Sequence, residues 1–248
     1  MIEFANVSPW LWVVAPIVII VGYTVFGLSG FGSTVISVPI LAHFLPVSYL
    51  VPLMVILDMT SATLMGTRGR DQVAVPEVKR ILPFMFLGFV VGTTALVKVP
   101  DEYLRPALAV FTMAIGVNSI LNPRLAKRIS AWWCIPTGIV GGAVATVFGA
   151  GGPLYATYLS GRLQDKTEIR STMSALISIS AISRAILYAI AGLLLHTSIL
   201  VGGLVLAPFV FIGLRLGHRI HVGLTQEQMR RVVGAIVLVT GALLFFRG

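Results

Sequence analysis

Residues 26–33 read Phe-Gly-Leu-Ser-Gly-Phe-Gly-Ser, and a weaker version of this pattern, Phe-Gly-Ala-Gly-Gly-Pro, occupies residues 148–153. Both glycine clusters lie within long apolar sequence. Glycine lowers helix stability by about 1 kcal/mol relative to alanine, so a glycine cluster favours a break in a helix that would otherwise continue. The paired breaks indicate two copies of one membrane unit, which we place at residues 1–125 and 126–248.

The composition indicates an integral membrane protein. Hydrophobic residues make up 57% of the 248 residues and charged residues only 11%, whereas roughly 25% of residues are charged in soluble domains. No segment alternates with a period of two over the length of a strand, which favours helices over a β-barrel. Apolar runs of about 20 residues, the length that spans a bilayer, occur at residues 10–28, 47–66, 80–99, 103–121, 132–149, 172–195, 198–217 and 229–246.

A second internal similarity lies later in each half. Residues 83–92 (Pro-Phe-Met-Phe-Leu-Gly-Phe-Val-Val-Gly) align without gaps with residues 208–217 (Pro-Phe-Val-Phe-Ile-Gly-Leu-Arg-Leu-Gly). Each segment carries two glycines four residues apart, which lie on one helix face and let two helix backbones approach closely. We therefore predict that these glycines are packing positions rather than substrate ligands. They are Gly88, Gly92, Gly213 and Gly217.

The distribution of Lys and Arg residues distinguishes two topologies. If all eight apolar runs crossed the membrane, basic residues would divide almost equally between its two sides, contrary to the positive-inside rule. If residues 33–45 and 152–161 instead return as the second limbs of hairpins, 14 of the 18 Lys and Arg residues lie on one side. We therefore expect two inverted repeats, each a glycine-tipped hairpin plus three transmembrane helices, with both termini outside. The predicted cytoplasmic segments are residues 67–79, 122–131, 162–170 and 218–228.

The two hairpin tips form the predicted binding site. In inverted-repeat transporters, broken helices from the two halves meet near the bilayer midplane, where the substrate binds. Each returning helix begins just after the glycines, so its unpaired backbone N–H groups and partial positive charge favour an anion. The alternative is that the glycines only allow tight packing around a bend. The predicted substrate-binding residues of the tips are Gly30, Gly32, Ser33, Thr34, Gly149, Gly151 and Gly152.

With these features the chain resembles the sulfite exporter TauE/SafE family of membrane transporters. The resemblance covers the whole chain: two related halves, a glycine-rich motif followed by Val-Pro-Ile-Leu at residues 38–41, and a second glycine-rich motif after residue 140. It implies movement of sulfur-containing or other small organic anions across the bacterial cytoplasmic membrane, mostly as export. The two halves would then form one transport domain in a multi-pass protein of that membrane.

Two charged residues lie within apolar runs, where ionisable groups are costly and by default functional. Asp58 lies in residues 53–61 and Arg184 in residues 179–185, on the same helix of the two halves and at similar depth. We predict that Arg184 binds the anion, because the planar guanidinium suits bidentate contact with an oxyanion. Asp58 is the predicted protonatable group that couples transport to the proton gradient. The alternative is that the two residues only neutralise each other.

Other classes of site have little support in the sequence. The single cysteine, Cys134, excludes an intramolecular disulfide and a cysteine-clustered metal site, and the four histidines are scattered. We expect no metal and no cofactor. Residues 149–152 resemble a phosphate loop only superficially, because the markers of nucleotide sites do not follow them. The basic loops suit membrane topology and anionic lipid, and no nucleic-acid partner is expected.

The sequence thus predicts a secondary transporter, an exporter, of a small anion such as a sulfur oxyanion, a sulfonate or a carboxylate. It would work by alternating access around the two hairpin tips. Its expected partners are the anion, the lipid bilayer and protons; no oligomeric state is predicted. A passive anion channel is the alternative. A membrane-embedded enzyme is a weaker one, since no convergent nucleophile, base or metal constellation is apparent.

Overall fold

The structure, a computed structural model, describes residues 9–65, 72–121, 128–219 and 226–247. Within these ranges every regular element is helical, which confirms the predicted all-α membrane fold. Short 3₁₀ turns precede α6 and α9. The α-helices are α1 (Leu11–Ser29), α2 (Ser33–Leu41), α3 (Val47–Met65), α4 (Val75–Lys98), α5 (Asp101–Leu121), α6 (Cys134–Phe148), α7 (Gly152–Arg162), α8 (Lys166–Ile190), α9 (Thr197–Arg219) and α10 (Gln226–Arg247).

Each half has the same order of helix lengths: one long helix, one short helix and three long helices. In the described ranges, α1, α4, α5, α8 and α9 contain stretches long and apolar enough to cross a membrane, and so does α6 together with the 3₁₀ turn before it. Helices α3 and α10 contain slightly shorter apolar stretches. Helices α2 and α7 have 9 and 11 residues. At about 1.5 Å per residue they reach only about 14 and 17 Å, roughly half of a 30 Å hydrocarbon core. These lengths suit the returning limbs of hairpins.

The glycine clusters break the helices where the sequence predicts. Helix α1 ends at Gly30, whose φ is 81°, and α6 ends at Gly149, whose φ is 71°. This left-handed conformation is one that glycine adopts without steric cost. The N–H of Gly30 donates to the carbonyl of Phe26 at 2.7 Å, and the N–H of Gly149 donates to that of Ala145 at 2.9 Å. Both helices therefore end at a glycine whose backbone N–H caps the last turn.

The two halves of the chain interlock rather than pack as separate bundles. Helix α1 packs on α9 and α6 packs on α4, so the first helix of each half contacts the fourth helix of the other. Helices α5 and α10 pack together, and so do α3 and α8. This exchange is the pattern expected of two related halves. The division at residue 125, the inverted orientation and the outside location of the termini stay predictions, and parts of segments 67–79, 122–131 and 218–228 lie outside the described residues.

Glycines make the closest of these helix contacts possible. A Cβ built on Gly213 would lie 2.7 Å from the carbonyl oxygen of Ile20 in α1, and one built on Gly88 would lie 2.8 Å from the backbone nitrogen of Ala143 in α6. Any larger residue at these positions would push the helices apart. The predicted packing role of the paired glycines in α4 and α9 is thereby confirmed.

Candidate functional site

A cavity of about 20 Å³ lies between the two glycine clusters, which is room for about one water molecule. Gly30 does not line it; a Cβ built there would lie 3.5 Å from Cγ of Arg170 in α8. The other eight residues predicted for the site do line it: Gly32, Ser33, Thr34, Asp58, Gly149, Gly151, Gly152 and Arg184. The further lining residues are Phe26, Phe31, Val35, Ala145, Tyr155, Ile177 and Ser180.

The N-terminal end of α2 supplies backbone donors to this cavity. Gly32 precedes the helix with a φ of 107°, and the N–H of Ile36 is the first in the helix to find a backbone acceptor, the Gly32 carbonyl at 3.2 Å. The N–H groups of Ser33, Thr34 and Val35 have no backbone acceptor within the described residues. Such first-turn groups carry the partial positive charge of the helix. All three residues are buried, so this charge acts away from bulk water.

The N-terminal end of α7 offers fewer backbone donors. Pro153 has no N–H, and the N–H groups of Leu154 and Tyr155 both donate to the carbonyl of Gly151, at 3.1 and 3.2 Å. Gly151 itself has an ordinary helical φ of −70°. A Cβ built on Gly151 would lie 2.6 Å from the carbonyl oxygen of Gly141. Gly151 is therefore a close-packing position between α6 and α7 as well as part of the cavity wall.

A side chain joins the two tips directly. The Thr34 hydroxyl donates to the carbonyl of Gly149, across 115 residues of sequence. A Cβ built on Gly149 would lie 3.0 Å from the Thr34 Cβ. The two hairpin tips therefore contact each other, as the sequence predicts.

Arg184 lies beside the cavity on α8, and its guanidinium is buried. Nη2 lies 3.1 Å from Oδ2 of Asp58 on α3. Nη1 donates to the carbonyl of Ala145 at 2.8 Å, and Nε donates to that of Ser180 at 3.3 Å. These three contacts engage each of the three guanidinium nitrogens.

Asp58 is the acceptor for three donors from different helices. Besides Arg184, the Tyr23 hydroxyl of α1 donates to Oδ1 at 2.8 Å and the Ser33 hydroxyl of α2 donates to the same oxygen at 3.4 Å. Only 3% of Asp58 is exposed. The Asp58–Arg184 contact, the alternative considered from the sequence, is therefore formed. A neutralising pair and a binding site are compatible here, because the pair itself lines the cavity.

Sequence reasoning missed three tyrosines that surround this pair. Tyr23, Tyr155 and Tyr188 are each at most 1% exposed. Tyr23 donates to Asp58, and Tyr188 donates to the carbonyl of Thr146, whereas the Tyr155 hydroxyl has no partner in the part of the chain that the structure describes. A tyrosine within an apolar helix is itself a signal, since its hydroxyl needs a partner when buried.

A separate polar cluster links the C-terminal end of α7 to α4. Glu77 of α4 is 6% exposed and accepts from the Tyr158 hydroxyl at 2.6 Å, from Nη2 of Arg162 at 2.9 Å and from Nη1 of Arg80 at 2.7 Å. The ion pair of Arg162 and Glu77 joins residues 85 positions apart. In the described ranges no three His, Cys, Asp or Glu residues form a group that would hold a metal ion.

Comparison with known proteins agrees with this picture of a membrane protein. The family model described as Sulfite exporter TauE/SafE matches residues 14–244. The chain is also similar to the "Probable inner membrane transporter protein TsaS" of Comamonas testosteroni, with 26% identity over 192 residues, which are 76% of this chain and 80% of that protein. No solved structure matches the chain.

Proposed function

Since this multi-pass membrane chain belongs to the sulfite exporter TauE/SafE family of transporters, we propose that it is a secondary exporter of a small anion. The substrate class is a sulfur oxyanion, a sulfonate or a carboxylate. The single observation that supports this most is the cavity between the hairpin tips, where the first turn of α2 and the Arg184 guanidinium meet. Both groups favour negative charge, and both are away from bulk water.

The mechanism we propose is alternating access. A cavity with room for about one water molecule is smaller than any of the proposed substrates, so the anion would enter when the hairpins stand further apart. Tips that join through Thr34 and Gly149 are suited to open towards one side at a time. A passive channel, the rival function, would instead require a continuous path.

Proton coupling follows from the charge balance of the site. Arg184 and Asp58 neutralise each other when both are ionised. An entering monoanion would then leave one net negative charge in a buried site, which is strongly unfavourable. A proton on Asp58 removes that charge and releases Arg184 towards the substrate. We therefore propose that one proton accompanies each monoanion. The pair crosses without net charge, so export is driven by an outward gradient of the anion that exceeds the inward proton gradient.

Transport in proteoliposomes tests this function. We expect saturable uptake of sulfite, a sulfonate or acetate that becomes concentrative under an imposed pH gradient, acid on the side of the anion. In Asp58→Asn protein, transport should no longer respond to that gradient. Uptake into inverted membrane vesicles, which corresponds to export from the cell, reports the direction.

Two other outcomes would replace the proposal. Flux that neither saturates nor concentrates the anion would favour the passive channel. A chemical change in the anion, seen by mass spectrometry of the reaction mixture, would point to a membrane-embedded enzyme.

A further inference from the structure

The hydroxyl of Tyr155 is a buried polar group whose purpose the packing does not explain. Tyr155 is 1% exposed, and its hydroxyl has no hydrogen-bond partner among the described residues. Nearby, the buried Tyr23 and Tyr188 each donate to a partner. Leaving a buried hydroxyl unpaired is costly, and such groups in native structures call for a functional explanation.

The surroundings of Tyr155 hold its ring in a fixed place beside the cavity. A Cβ built on Gly141 would lie 2.5 Å from Cε1 of Tyr155, and one built on Gly151 would lie 3.1 Å from Cε2. The ring therefore fits between two glycines, and any other residue at Gly141 would displace it. Tyr155 lines the same cavity as Arg184.

Donors thus surround the cavity from three helices. Helix α2 presents first-turn N–H groups that have no backbone acceptor among the described residues. Helix α8 presents the Arg184 guanidinium, and α7 presents the Tyr155 hydroxyl. A carboxylate has two oxygens, both in one plane. A sulfite or sulfonate group has three oxygens around a central sulfur, one for each donor set.

We propose that the Tyr155 hydroxyl donates to the third oxygen of the transported anion and so selects three-oxygen sulfur anions over carboxylates. This assignment rests on the proposed function, because it takes the cavity to be the anion site. The proposal also explains the glycine at position 151, because a larger residue there would crowd the ring of Tyr155. When the substrate is bound, the hydroxyl has the partner that it otherwise lacks.

The test is the isosteric variant Tyr155→Phe, measured as whole purified protein. Binding of methanesulfonate, sulfite and acetate is measured by calorimetry, and the melting temperature is measured without anion. Losing a hydrogen bond to a charged group should weaken methanesulfonate and sulfite binding about tenfold or more, while acetate binding changes less than about threefold. The melting temperature of the empty protein should stay the same or rise, because an unpaired hydroxyl has been removed.

Tyr188→Phe is the matched control. Its hydroxyl has an internal partner, so the variant should melt at a lower temperature and keep the wild-type ratio of sulfonate to acetate affinity. Wild-type sulfonate affinity in Tyr155→Phe overturns the inference, and the hydroxyl then serves an ordered water. Equal loss for all three anions also overturns the selectivity. If wild-type protein binds none of the three anions, the proposed function itself fails, whereas binding that is unchanged in Tyr155→Phe removes only this inference.

Discussion

The first hairpin, α1 and α2, turns through two glycines with positive φ, Gly30 at 81° and Gly32 at 107°, whereas the second, α6 and α7, has positive φ only at Gly149. After its turn the first hairpin presents three backbone N–H groups that have no backbone acceptor in the part of the chain that the structure describes, and the second presents a proline and a tightly packed glycine. The two tips therefore differ in what they offer a ligand. The first offers backbone, and the second offers the side chain of Tyr155.

The far ends of the two returning helices differ as well. Helix α7 ends in Arg162, which is bound to Glu77 and to the carbonyl of Ile129 at 3.1 Å. Helix α2 ends in apolar packing around Leu41, and Nδ1 of His43 lies 3.0 Å from the carbonyl of Pro39 in its own hairpin. The far end of the second hairpin is thus held to α4 by charge, and the far end of the first is held by hydrophobic contact. The two hairpins therefore share a similar glycine motif but differ in the contacts that hold their far ends.

The largest effect is expected where the two hairpins are tied to one ion pair. Asp58 holds the first hairpin through Tyr23 and Ser33, and Arg184 holds the second through Ala145. Removing one partner leaves a buried lone charge, so Asp58→Asn or Arg184→Gln should each destabilise the folded protein by about 3–5 kcal/mol. Unfolding followed in detergent measures this.

Two further variants separate the structural role of the ion pair from a role of Arg184 in transport. The double variant Asp58→Asn, Arg184→Gln should regain much of the stability, because no uncompensated charge remains, but should not transport. Arg184→Lys keeps the charge but loses the planar guanidinium. This variant should therefore fold like wild type but transport the anion poorly. A double variant that transports like wild type would remove Arg184 from substrate binding.

An intermediate effect is expected at the end of α7. Glu77→Gln keeps the shape of the side chain but replaces charged hydrogen bonds with neutral ones, and it should cost about 1–3 kcal/mol of unfolding free energy. Among the residues that the structure describes, the end of α2 has no such ion pair, so the loss reports the end of the second hairpin. Arg80→Gln is the control: its side chain is 48% exposed, and exposed ion pairs contribute at most about 1 kcal/mol. Equal losses in both variants would show that Glu77 does not anchor α7.

The contrast between the hairpins also shows which features can be predicted from the sequence and which cannot. The helix breaks at Gly30 and Gly149 and the packing faces of α4 and α9 were predictable, because they depend on local conformation and on spacing along one helix. The burial of Asp58 and Arg184 was consistent with their place in apolar runs. The anchor between Glu77 and Arg162 did not follow, since nothing local indicates which residue 85 positions away will face a carboxylate.

The same reasoning explains why the Tyr155 hydroxyl was missed. Its importance comes from the absence of a partner in the fold, and a missing contact leaves no mark on the sequence. The tight packing of Gly151 was missed for a related reason. In the sequence it resembles the tip glycines, and only its φ of −70° and the nearby Gly141 carbonyl separate it from them.

The smallest effect on stability, and the sharpest on function, is expected at Gly32. Its φ of 107° is unfavourable for any side chain, but a Cβ there would meet only Cγ1 of Val25, at 3.4 Å. Gly32→Ala should therefore cost about 1–2 kcal/mol of unfolding free energy through backbone strain and leave the packing intact. Relaxation of that strain would turn the first-turn N–H groups of α2, so anion-dependent thermal stabilisation should be lost or strongly reduced.

Gly192 provides the matched control for this variant. It has a similar positive φ, 78°, and open space, since a Cβ built there would meet only Cδ1 of Leu195 at 3.9 Å; it also lies outside the residues that line the cavity. Gly192→Ala should lose comparable stability and bind the anion like wild type. If Gly32→Ala does the same, the glycines of the first tip are only hinges, backbone donors do not bind the substrate, and the site depends on Arg184 and the side chains around it.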